Sequence, residues 1–382
     1  MRIDEFLHRR ETQMPAVLMS VDRAVGLGPD DVLLAVGSIV EGLGNSRSDL
    51  DLLFITPRGE SQATKSSVTL VVGKCIMDVA ILGVNDVEKL FNRFETWSNL
   101  PWNVTHAAPF TPEERILLHR LHHGMVLHRG EKETVTSQIP SLSNLARLKL
   151  HVARQLARTI QVDMAGYREV GDFSSLVFAA QELLGHAVDA LLAGHQITNF
   201  LPKWRSRLLK SLPADWAQSL GIRPTNLTAA QLVWSLHRAP ARPDQKLAVQ
   251  HALRIMTFAR AVFLWAETRL IKGSKAKRKT GVWPRLKRQA QDVRLPYLDF
   301  DIDFLLTNGH VTVARLNDFS ETIKMSPRDF SLTLLFDGTT TTREAERFIF
   351  GSKRGKGVVD DLISQVVRAG FGVTPTGKAV KQ

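Results

Sequence analysis

Cysteine is almost absent from this chain, with Cys75 the one thiol among 382 residues. A single thiol excludes internal disulfides and a zinc site built on several cysteines. The chain also lacks an unbroken run of about 18 apolar residues, which argues against a membrane span. Its start, MRIDEFLHRRETQ, is charged and has no apolar segment of the kind a secretory signal carries. These absences predict a cytoplasmic protein without a membrane partner.

Acidic residues are also in short supply, since 50 Lys and Arg stand against 38 Asp and Glu and give a net charge of +12. Such an excess favours polyanionic partners, namely nucleotides, nucleic acid or acidic peptide, without choosing among them. At roughly 150 residues per domain, the length predicts two or three domains.

The front of the chain, residues 1–110, has the pattern of a mixed α/β domain. Strands are expected at residues 32–36 and 49–56, and residues 68–72 and 75–82 form a hairpin across Gly73-Lys74. Residues 111–271 have the pattern of a helical bundle. Thr111-Pro112-Glu113-Glu114 is a capping box, and apolar stripes at helical spacing follow over residues 142–165, 174–193 and 243–271.

Two further segments complete the predicted organisation. Residues 272–295 are a basic linker, and residues 296–382 are a small winged-helix module that begins with a hairpin turning at Asn308-Gly309. The predicted fold class is α+β: a mixed sheet with helices, then an α-helical bundle, then the winged module.

Three carboxylates carry the strongest chemical signal. Asp49 and Asp51 lie two residues apart on a predicted strand, so both side chains point to the same face. Their mutual repulsion is relieved by a hard divalent cation with oxygen ligands. Asp78 lies within an apolar strand, where an isolated charge is costly. If the two strands pair, the three acids converge in a way that suits two magnesium ions bridging a triphosphate and an attacking oxygen.

Gly37-Ser38 supplies a complementary phosphate-binding turn. A glycine directly after a buried strand lets the backbone approach a phosphate, and the serine N–H and hydroxyl can bind phosphate oxygens. Gly37-Ser38, then Asp49-Leu50-Asp51, with Asp78 on a later strand, resembles the DNA polymerase β-type nucleotidyltransferase superfamily over about residues 30–85. The competing interpretation is that Asp49, Asp51 and Asp78 are ordinary turn, surface and buried acids.

The resemblance implies roles for these residues. Asp49 and Asp51 would bind two Mg²⁺ ions, and Asp78 would share a metal and act as general base. Ser38 would hold the terminal phosphates of ATP or another nucleoside triphosphate. The implied reaction is in-line attack on the α-phosphorus with release of pyrophosphate.

Weaker candidates surround this motif. Arg47 and Ser48 join Gly37 and Ser38 in the predicted nucleotide-binding set, although the favoured interpretation of Arg47 is an ion pair with a neighbouring acid. Residues 200–205 are similar to a segment in the helical domains of minimal and aminoglycoside-type nucleotidyltransferases. By that resemblance Lys203 contacts the triphosphate and Trp204 packs beneath it; the alternative is a loop lysine beside a core tryptophan.

Two other features favour structural interpretations. His119, His122 and His123 share a helix face, but no nearby acid or cysteine completes a zinc site, so surface or interface histidines are predicted. The basic run 272–279 has few aromatic neighbours, so a solvated linker is favoured over a nucleic-acid site.

The tail resembles the small winged domain of the PqqD type. The resemblance rests on the predicted hairpin, Asp337-Gly338, Thr342-Arg343-Glu344 and the helix that starts near Val358. It implies that a leader peptide adds a strand to an exposed edge of the hairpin. A winged DNA-binding domain or a packing module is the alternative.

The predicted protein is therefore a magnesium-dependent nucleotidyltransferase that moves a nucleoside monophosphate, with AMP from ATP favoured, to a hydroxyl or phosphate of an acceptor. The winged tail makes a ribosomally made precursor peptide the favoured acceptor, in natural-product biosynthesis. Alternatives are an aminoglycoside-type or an RNA- or protein-directed adenylyltransferase, and a nucleotide-sensing winged-helix regulator.

Overall fold

The computed structural model describes residues 3–58, 66–102, 108–129, 139–214, 216, 227–272, 296–307, 309–334 and 358–373. Residues 273–295, which make up nearly all of the predicted basic linker, lie outside these ranges. So do Asn308 of the predicted turn and the Asp337-Gly338 and Thr342-Arg343-Glu344 motifs of the tail.

The chain divides into two compact units. The first contains Met1–Leu100, Ala108–Leu145 and Thr198–Trp204. The second contains Pro101–Ala107, Ala146–Ile197 and Arg205–Gln382. The first unit therefore continues past residue 110, and the long helices share a unit with the C-terminal module.

The first unit is built on a mixed five-stranded sheet with helices. Its strands are β1 (Val32–Val36), β2 (Leu50–Thr56), β3 (Ser66–Val72), β4 (Cys75–Gly83) and β5 (Met125–His128). Its helices are α1 (Ile3–Arg9), α2 (Met14–Val25), α3 (Gly37–Val40), α4 (Val84–Ser98) and α5 (Pro112–His123). The strand order is β3-β4-β2-β1-β5. Strands β2 and β4 are parallel, and the other neighbours are antiparallel.

The predicted strands are confirmed to within a residue or two at their ends. The hairpin turns at Gly73, whose φ of 59° favours glycine. A Cβ there would also lie 2.7 Å from the Glu11 carbonyl oxygen and 2.9 Å from that of Arg10. Strand β5 was not predicted, because its four residues follow a helix directly and have no alternating pattern.

The predicted capping box at the start of α5 is confirmed. The Thr111 hydroxyl accepts a hydrogen bond from the Glu114 N–H at 3.2 Å, and the Glu114 carboxylate accepts one from the Thr111 N–H at 2.9 Å. The two bonds satisfy donors that a helix N-terminus otherwise leaves unpaired. The helix then runs to His123 and is followed by Gly124.

The second unit holds long helices and, within the described residues, two small C-terminal sheets. Its helices are α6 (Leu142–Val170, whose first residues belong to the first unit), α7 (Phe173–Gly194), α8 (Arg205–Lys210), α9 (Ala229–His237), α10 (Gln245–Lys272), α11 (Pro327–Thr333) and α12 (Val358–Arg368). Its strands are β6 (Tyr297–Leu298), β7 (Ile302–Thr307), β8 (His310–Arg315), β9 (Thr322–Met325) and β10 (Gly372–Val373). The two sheets are β10-β6 and β7-β8-β9.

Gly194 is part of α7 rather than the residue that follows it. The helix ends with Gly194, and His195 occupies the C-cap position. A Cβ on Gly194 would lie 2.7 Å from Cη2 of Trp265 and 2.9 Å from its Cε3. Glycine is therefore required by the close approach of α10 and not by a left-handed helix end.

Among the described residues, two helices are long and apolar enough to cross a membrane, which modifies the expectation from the sequence. They are Phe173–Gly194 and Gln245–Ile271. In the structure 67% and 83% of their most apolar windows are buried within the protein, and the two helices pack against each other. Core helices meet the same criteria of length and hydropathy.

The C-terminal module begins with three antiparallel strands in the order β7-β8-β9. Gly309 in the β7–β8 turn has a φ of 95°, which agrees with the predicted hairpin. Strand β9 was not predicted, and it is the outer strand of this sheet. Helix α12 confirms the predicted last helix, and it precedes Gly370, whose φ is 69°.

Candidate functional site

Asp51 and Asp78 lie side by side on the central sheet. Strands β2 and β4 run parallel, and Asp51 is the direct partner of Asp78 in their register. The flanking Leu50 and Met77 are fully buried, whereas both acids are half-buried, so their side chains point to the opposite face from the core. Asp49 precedes the first residue of β2 and is exposed.

Gly37 allows the chain to turn directly beside Asp51. Val36, the last residue of β1, pairs with Asp51, and α3 begins at the next residue with a φ of 76°. A Cβ at Gly37 would lie 3.0 Å from the Asp51 Cγ and closer still to its Oδ2. Glycine is therefore favoured here by backbone conformation, and a larger residue would have to displace the Asp51 side chain.

Ser38 and the loop after it are fixed by backbone hydrogen bonds. The Ser38 carbonyl accepts the Leu43 N–H at 2.8 Å and the Gly44 N–H at 2.7 Å. The Ser38 residue is half-buried. The Gly37-Ser38 turn is therefore held in place against the strand that carries Asp51.

Arg47 and Ser48 form a turn that leads into β2. The Ser48 hydroxyl accepts the Asn45 N–H at 3.0 Å, and the Asn45 side-chain oxygen accepts the Arg47 N–H at 2.8 Å. Arg10 donates to the Ser48 carbonyl at 3.1 Å. The Arg47 side chain is exposed. Both residues thus shape the approach to Asp49.

Among the described residues, Arg120 is a cation that contacts Asp51, and the sequence did not predict it. From α5 its Nη2 donates to Asp51 Oδ1 at 3.0 Å, so the ion pair expected of Arg47 is made by Arg120. Burial raises the pKa of Asp51, the charge of Arg120 opposes this, and the charges of Asp49 and Asp78 add to the increase. The net shift is upward, as expected where carboxylates crowd together. No local motif marks Arg120.

Asp78 has a neutral donor beside it. Thr69 is its partner on β3, and the Thr69 hydroxyl donates to Asp78 Oδ1 at 2.9 Å. This bond fixes one carboxylate oxygen of Asp78.

Metal-binding capacity can be judged from the donor set. The three acids offer only oxygen ligands, which suit Mg²⁺ and not softer ions. Within the described ranges, no three His, Cys, Asp or Glu side chains converge as a ready metal site. Asp51 has an oxygen occupied by Arg120, and Asp78 has one occupied by Thr69. The metal-ligand roles of Asp49, Asp51 and Asp78 stay predictions.

A buried polar network joins the end of α3 to α5. Glu41 follows α3, and its Oε2 lies 3.0 Å from His119 Nε2 and 2.7 Å from the Asn199 side-chain nitrogen, which donates to it. The Thr198 hydroxyl lies 3.0 Å from His119 Nδ1 and 3.1 Å from His123 Nε2. Burial raises the pKa of Glu41. The hydrogen bonds from His119 and Asn199 and the charges of His119 and His123 outweigh burial, so the pKa is lowered overall.

The three histidines predicted to lie at the surface or at an interface differ in their exposure. His119 is 3% exposed and belongs to the network, His122 is half-buried with its Nδ1 2.7 Å from the Pro140 carbonyl oxygen, and His123 is exposed. A helix-face pattern cannot reveal that His119 meets a carboxylate from far along the chain.

Lys203 and Trp204 lie in a single 3-10 turn, Pro202–Trp204, within the first unit. Lys203 is exposed, and its Nζ lies 5.2 Å from the centre of the Trp204 ring. Trp204 is half-buried, so it is not a core tryptophan. Through Asn199, four residues before Lys203, this segment is hydrogen-bonded to Glu41 at the end of the helix that carries Ser38.

Comparison with known proteins adds little to this geometry. No protein-family model and no curated protein sequence matches the chain. Among solved structures, the chain is similar to a nucleotidyltransferase-like protein from Exiguobacterium sibiricum 255-15, with 10% identity and a TM-score of 0.35 over 69% of this chain and 77% of that one. A similarity this distant carries no argument about activity, so functional inference depends on the site itself.

Proposed function

We propose that the protein is a magnesium-dependent nucleotidyltransferase. The observation that carries the proposal is the pairing of Asp51 with Asp78 on adjacent parallel strands, directly beside the glycine turn that begins α3. Neighbouring carboxylates repel each other; burial raises the pKa of Asp51, and the charges of Asp49 and Asp78 add to the increase. Because this repulsion is unfavourable for stability, it argues against a purely structural role for the acids.

The residues divide the work of phosphoryl transfer. Asp49, Asp51 and Asp78 would hold two Mg²⁺ ions, whose charge would neutralise the triphosphate and the attacking oxygen. Ser38 would donate its backbone N–H and hydroxyl to the terminal phosphates. Asp78 would accept the proton of the acceptor hydroxyl, whose oxygen forms the new bond to the α-phosphorus as the bond to the departing pyrophosphate breaks.

Two cations complete the proposed nucleotide site. Arg120 would exchange Asp51 for a phosphate oxygen when metal binds, because the metal takes over the charge balance of that carboxylate. Lys203 is exposed and free to extend from the ring of Trp204 toward the triphosphate. The Glu41–Asn199 hydrogen bond supports this by holding the segment with Lys203 near α3.

We further propose a precursor peptide as the acceptor. Support comes from β9, which is the outer strand of the three-stranded C-terminal sheet, with Thr322 and Lys324 exposed. An outer strand with unpaired backbone groups can take on a further strand from an extended peptide. Near it, a groove of about 460 Å³ is lined by parts of α6, β7 and β8 and by Phe319, which is 71% exposed.

The test is a pyrophosphate-release and mass-shift assay on the full chain. Each nucleoside triphosphate is offered with Mg²⁺ and with peptides encoded beside the gene, tRNA or an aminoglycoside panel. A nucleoside-monophosphate mass gain on one acceptor is expected. Asp51→Asn should reduce the rate by about a hundredfold to a thousandfold, as is usual when a group that stabilises transition-state charge is lost.

Asp4→Asn is the matched control, because it removes the same charge from an exposed position on α1 of the same unit. Full activity in Asp51→Asn would refute the metal assignment. Absence of both nucleotide binding and pyrophosphate release would refute the proposed reaction.

A further inference from the structure

A small cavity within the second unit lies among α6, α10 and β7. Its volume is about 50 Å³. Four of the side chains that line it, Arg147, His151, Arg154 and Arg158, come from one face of α6. Their spacing of four, three and four residues is that of a helical stripe. The cavity therefore presents a row of nitrogen donors on one wall.

Arg154 is buried in this wall with part of its guanidinium unused. The residue is 5% exposed. Its Nη2 donates to the Phe304 carbonyl at 2.8 Å and lies 2.7 Å from Asp303 Oδ1, and its Nε lies 3.4 Å from Glu267 Oε1. Its Nη1 has no hydrogen-bond partner among the residues that the structure describes. A buried donor without an acceptor costs free energy, which a ligand can recover.

Positive charge exceeds negative charge around the cavity. Arg147, Arg154 and Arg158 are accompanied by Glu267 on the lining and by Asp303, which contacts both Arg154 and Arg158 at 2.7 Å. Burial raises the pKa of Glu267, with the charge of Arg154 opposing it, so the carboxylate balances the cations only in part. One more negative group would improve the charge balance.

Arg147 is held at the edge of the cavity by its neighbours. Its guanidinium lies 4.8 Å from the centre of the Trp102 ring, and its Nη2 donates to the Pro101 carbonyl at 3.2 Å. A cation over an aromatic face is oriented without losing its charge. The Arg147 guanidinium is therefore held, with its charge, at the edge of the cavity.

We propose that this cavity binds one compact oxyanion, a phosphate or carboxylate group of a small molecule, through Arg147, Arg154 and Arg158. Since one water needs about 10–15 Å³, the cavity accommodates a group of roughly four or five atoms. Planar guanidinium groups bind the oxygens of such anions in pairs. The inference uses residues of the second unit alone and does not depend on the proposed nucleotidyltransferase activity.

Isothermal titration calorimetry on the full chain tests the proposal, with inorganic phosphate in one arm and acetate in the other, at constant ionic strength set with sodium chloride. The protein carries Ser38→Ala and Lys203→Met, which weakens phosphate binding at the proposed nucleotide site. Saturable binding of one equivalent of at least one anion is expected. The arm that binds identifies the anion as phosphate or carboxylate.

Three variants test whether the measured heat of anion binding comes from the cavity. Arg154→Lys keeps the charge but loses the Nη1 donor, and Arg147→Gln, at a half-buried position, serves if Arg154→Lys does not fold. Each should weaken binding about tenfold, as the loss of a charge-assisted hydrogen bond predicts. Lys246→Gln, an exposed change on α10, should leave it unchanged. Circular dichroism confirms folding.

Two results would overturn the proposal. One is the absence of saturable binding of either anion to folded protein. The other is equal binding by Arg147→Gln, Arg154→Lys and Lys246→Gln.

Discussion

Replacing Gly37 by alanine should separate the fold from the chemistry at the glycine turn. Gly37 has a φ of 76°, and a new Cβ would lie 3.0 Å from the Asp51 Cγ and 3.2 Å from its Cβ. The methyl group therefore imposes backbone strain and occupies space that the Asp51 side chain now fills. Because the atoms in the way belong to a side chain, the chain can fold by moving the carboxylate.

Backbone strain at residue 37 and displacement of the Asp51 carboxylate affect different properties of the protein. A left-handed conformation costs a residue with a Cβ about 1–2 kcal/mol, and this lowers stability alone. Displacement of the Asp51 carboxylate by as little as 1 Å is expected to cost about a hundredfold in rate, since catalytic geometry tolerates little error. We therefore expect Gly37→Ala to be folded, slightly destabilised and nearly inactive.

Gly42 supplies a matched control within the same loop. Its φ is 71°, close to that of Gly37, but a Cβ there would meet nothing within 4 Å. Gly42→Ala should therefore show the same loss of stability in thermal unfolding while retaining most pyrophosphate release. Binding of Mn²⁺, followed by its electron paramagnetic resonance signal, should weaken in Gly37→Ala alone. Equal activity and equal Mn²⁺ binding in the two variants would refute the argument about Asp51.

Three further changes test neighbouring parts of the structure. Thr69→Val removes the hydroxyl bonded to Asp78 and should lower kcat about tenfold with KM for the nucleotide unchanged, because it acts on a positioned carboxylate. Glu41→Gln keeps the size of the side chain but removes the charge that His119 and Asn199 contact. KM for the nucleotide should rise about tenfold, since the hydrogen bond from Asn199 that anchors the segment with Lys203 is no longer charge-assisted. His251 is 5% exposed, and burial, then nearby positive charge, lowers its pKa to about 4, so its neutral form stabilises the fold. The free energy of unfolding should fall by about 2 kcal/mol between pH 7 and pH 5 in denaturant titrations. In this range the unfolded histidine, with a pKa of about 6.5, takes up a proton and the folded one does not. His251→Leu should reduce this dependence on pH.

For each of these predictions, a control variant or a contradicting result can be named. Ser67→Ala, at an exposed position on the same strand as Thr69, should leave kcat unchanged; an equal loss in both variants would show a general effect on β3. Glu95→Gln, an exposed change on α4, is the control for Glu41→Gln. If His251→Leu kept the full dependence of stability on pH between 7 and 5, other histidines would be responsible.

The sequence predicts the main sheet well because its strands are defined by local pattern. Residues 32–36 and 75–82 are apolar or alternating segments bounded by turn residues, and both become strands. Strands β5 and β9 escaped prediction because each has only four residues and is defined by its partner, β1 or β8, rather than by its own pattern.

The candidate site likewise contains residues that the sequence could identify and one that it could not. Gly37, Asp51 and Asp78 could be identified because backbone conformation and side-chain periodicity make their spacing informative, although their catalytic roles are still predictions. Arg120 could not, because it reaches Asp51 from a helix 69 residues away, and its own helix has an ordinary capped amphipathic pattern. Contacts of this kind depend on how α5 packs, which no local rule specifies.

The position of α5 explains why the predicted motif alone would be incomplete. The motif supplies carboxylates and a turn predicted to bind phosphate, but it supplies no cation that contacts Asp51. Helix α5 provides Arg120 for Asp51 and, one residue earlier, His119 for Glu41 at the end of α3. A shift of this helix would therefore change the charge balance at Asp51 and the anchoring of α3 together, so nucleotide affinity and metal affinity should respond jointly to changes in how α5 packs.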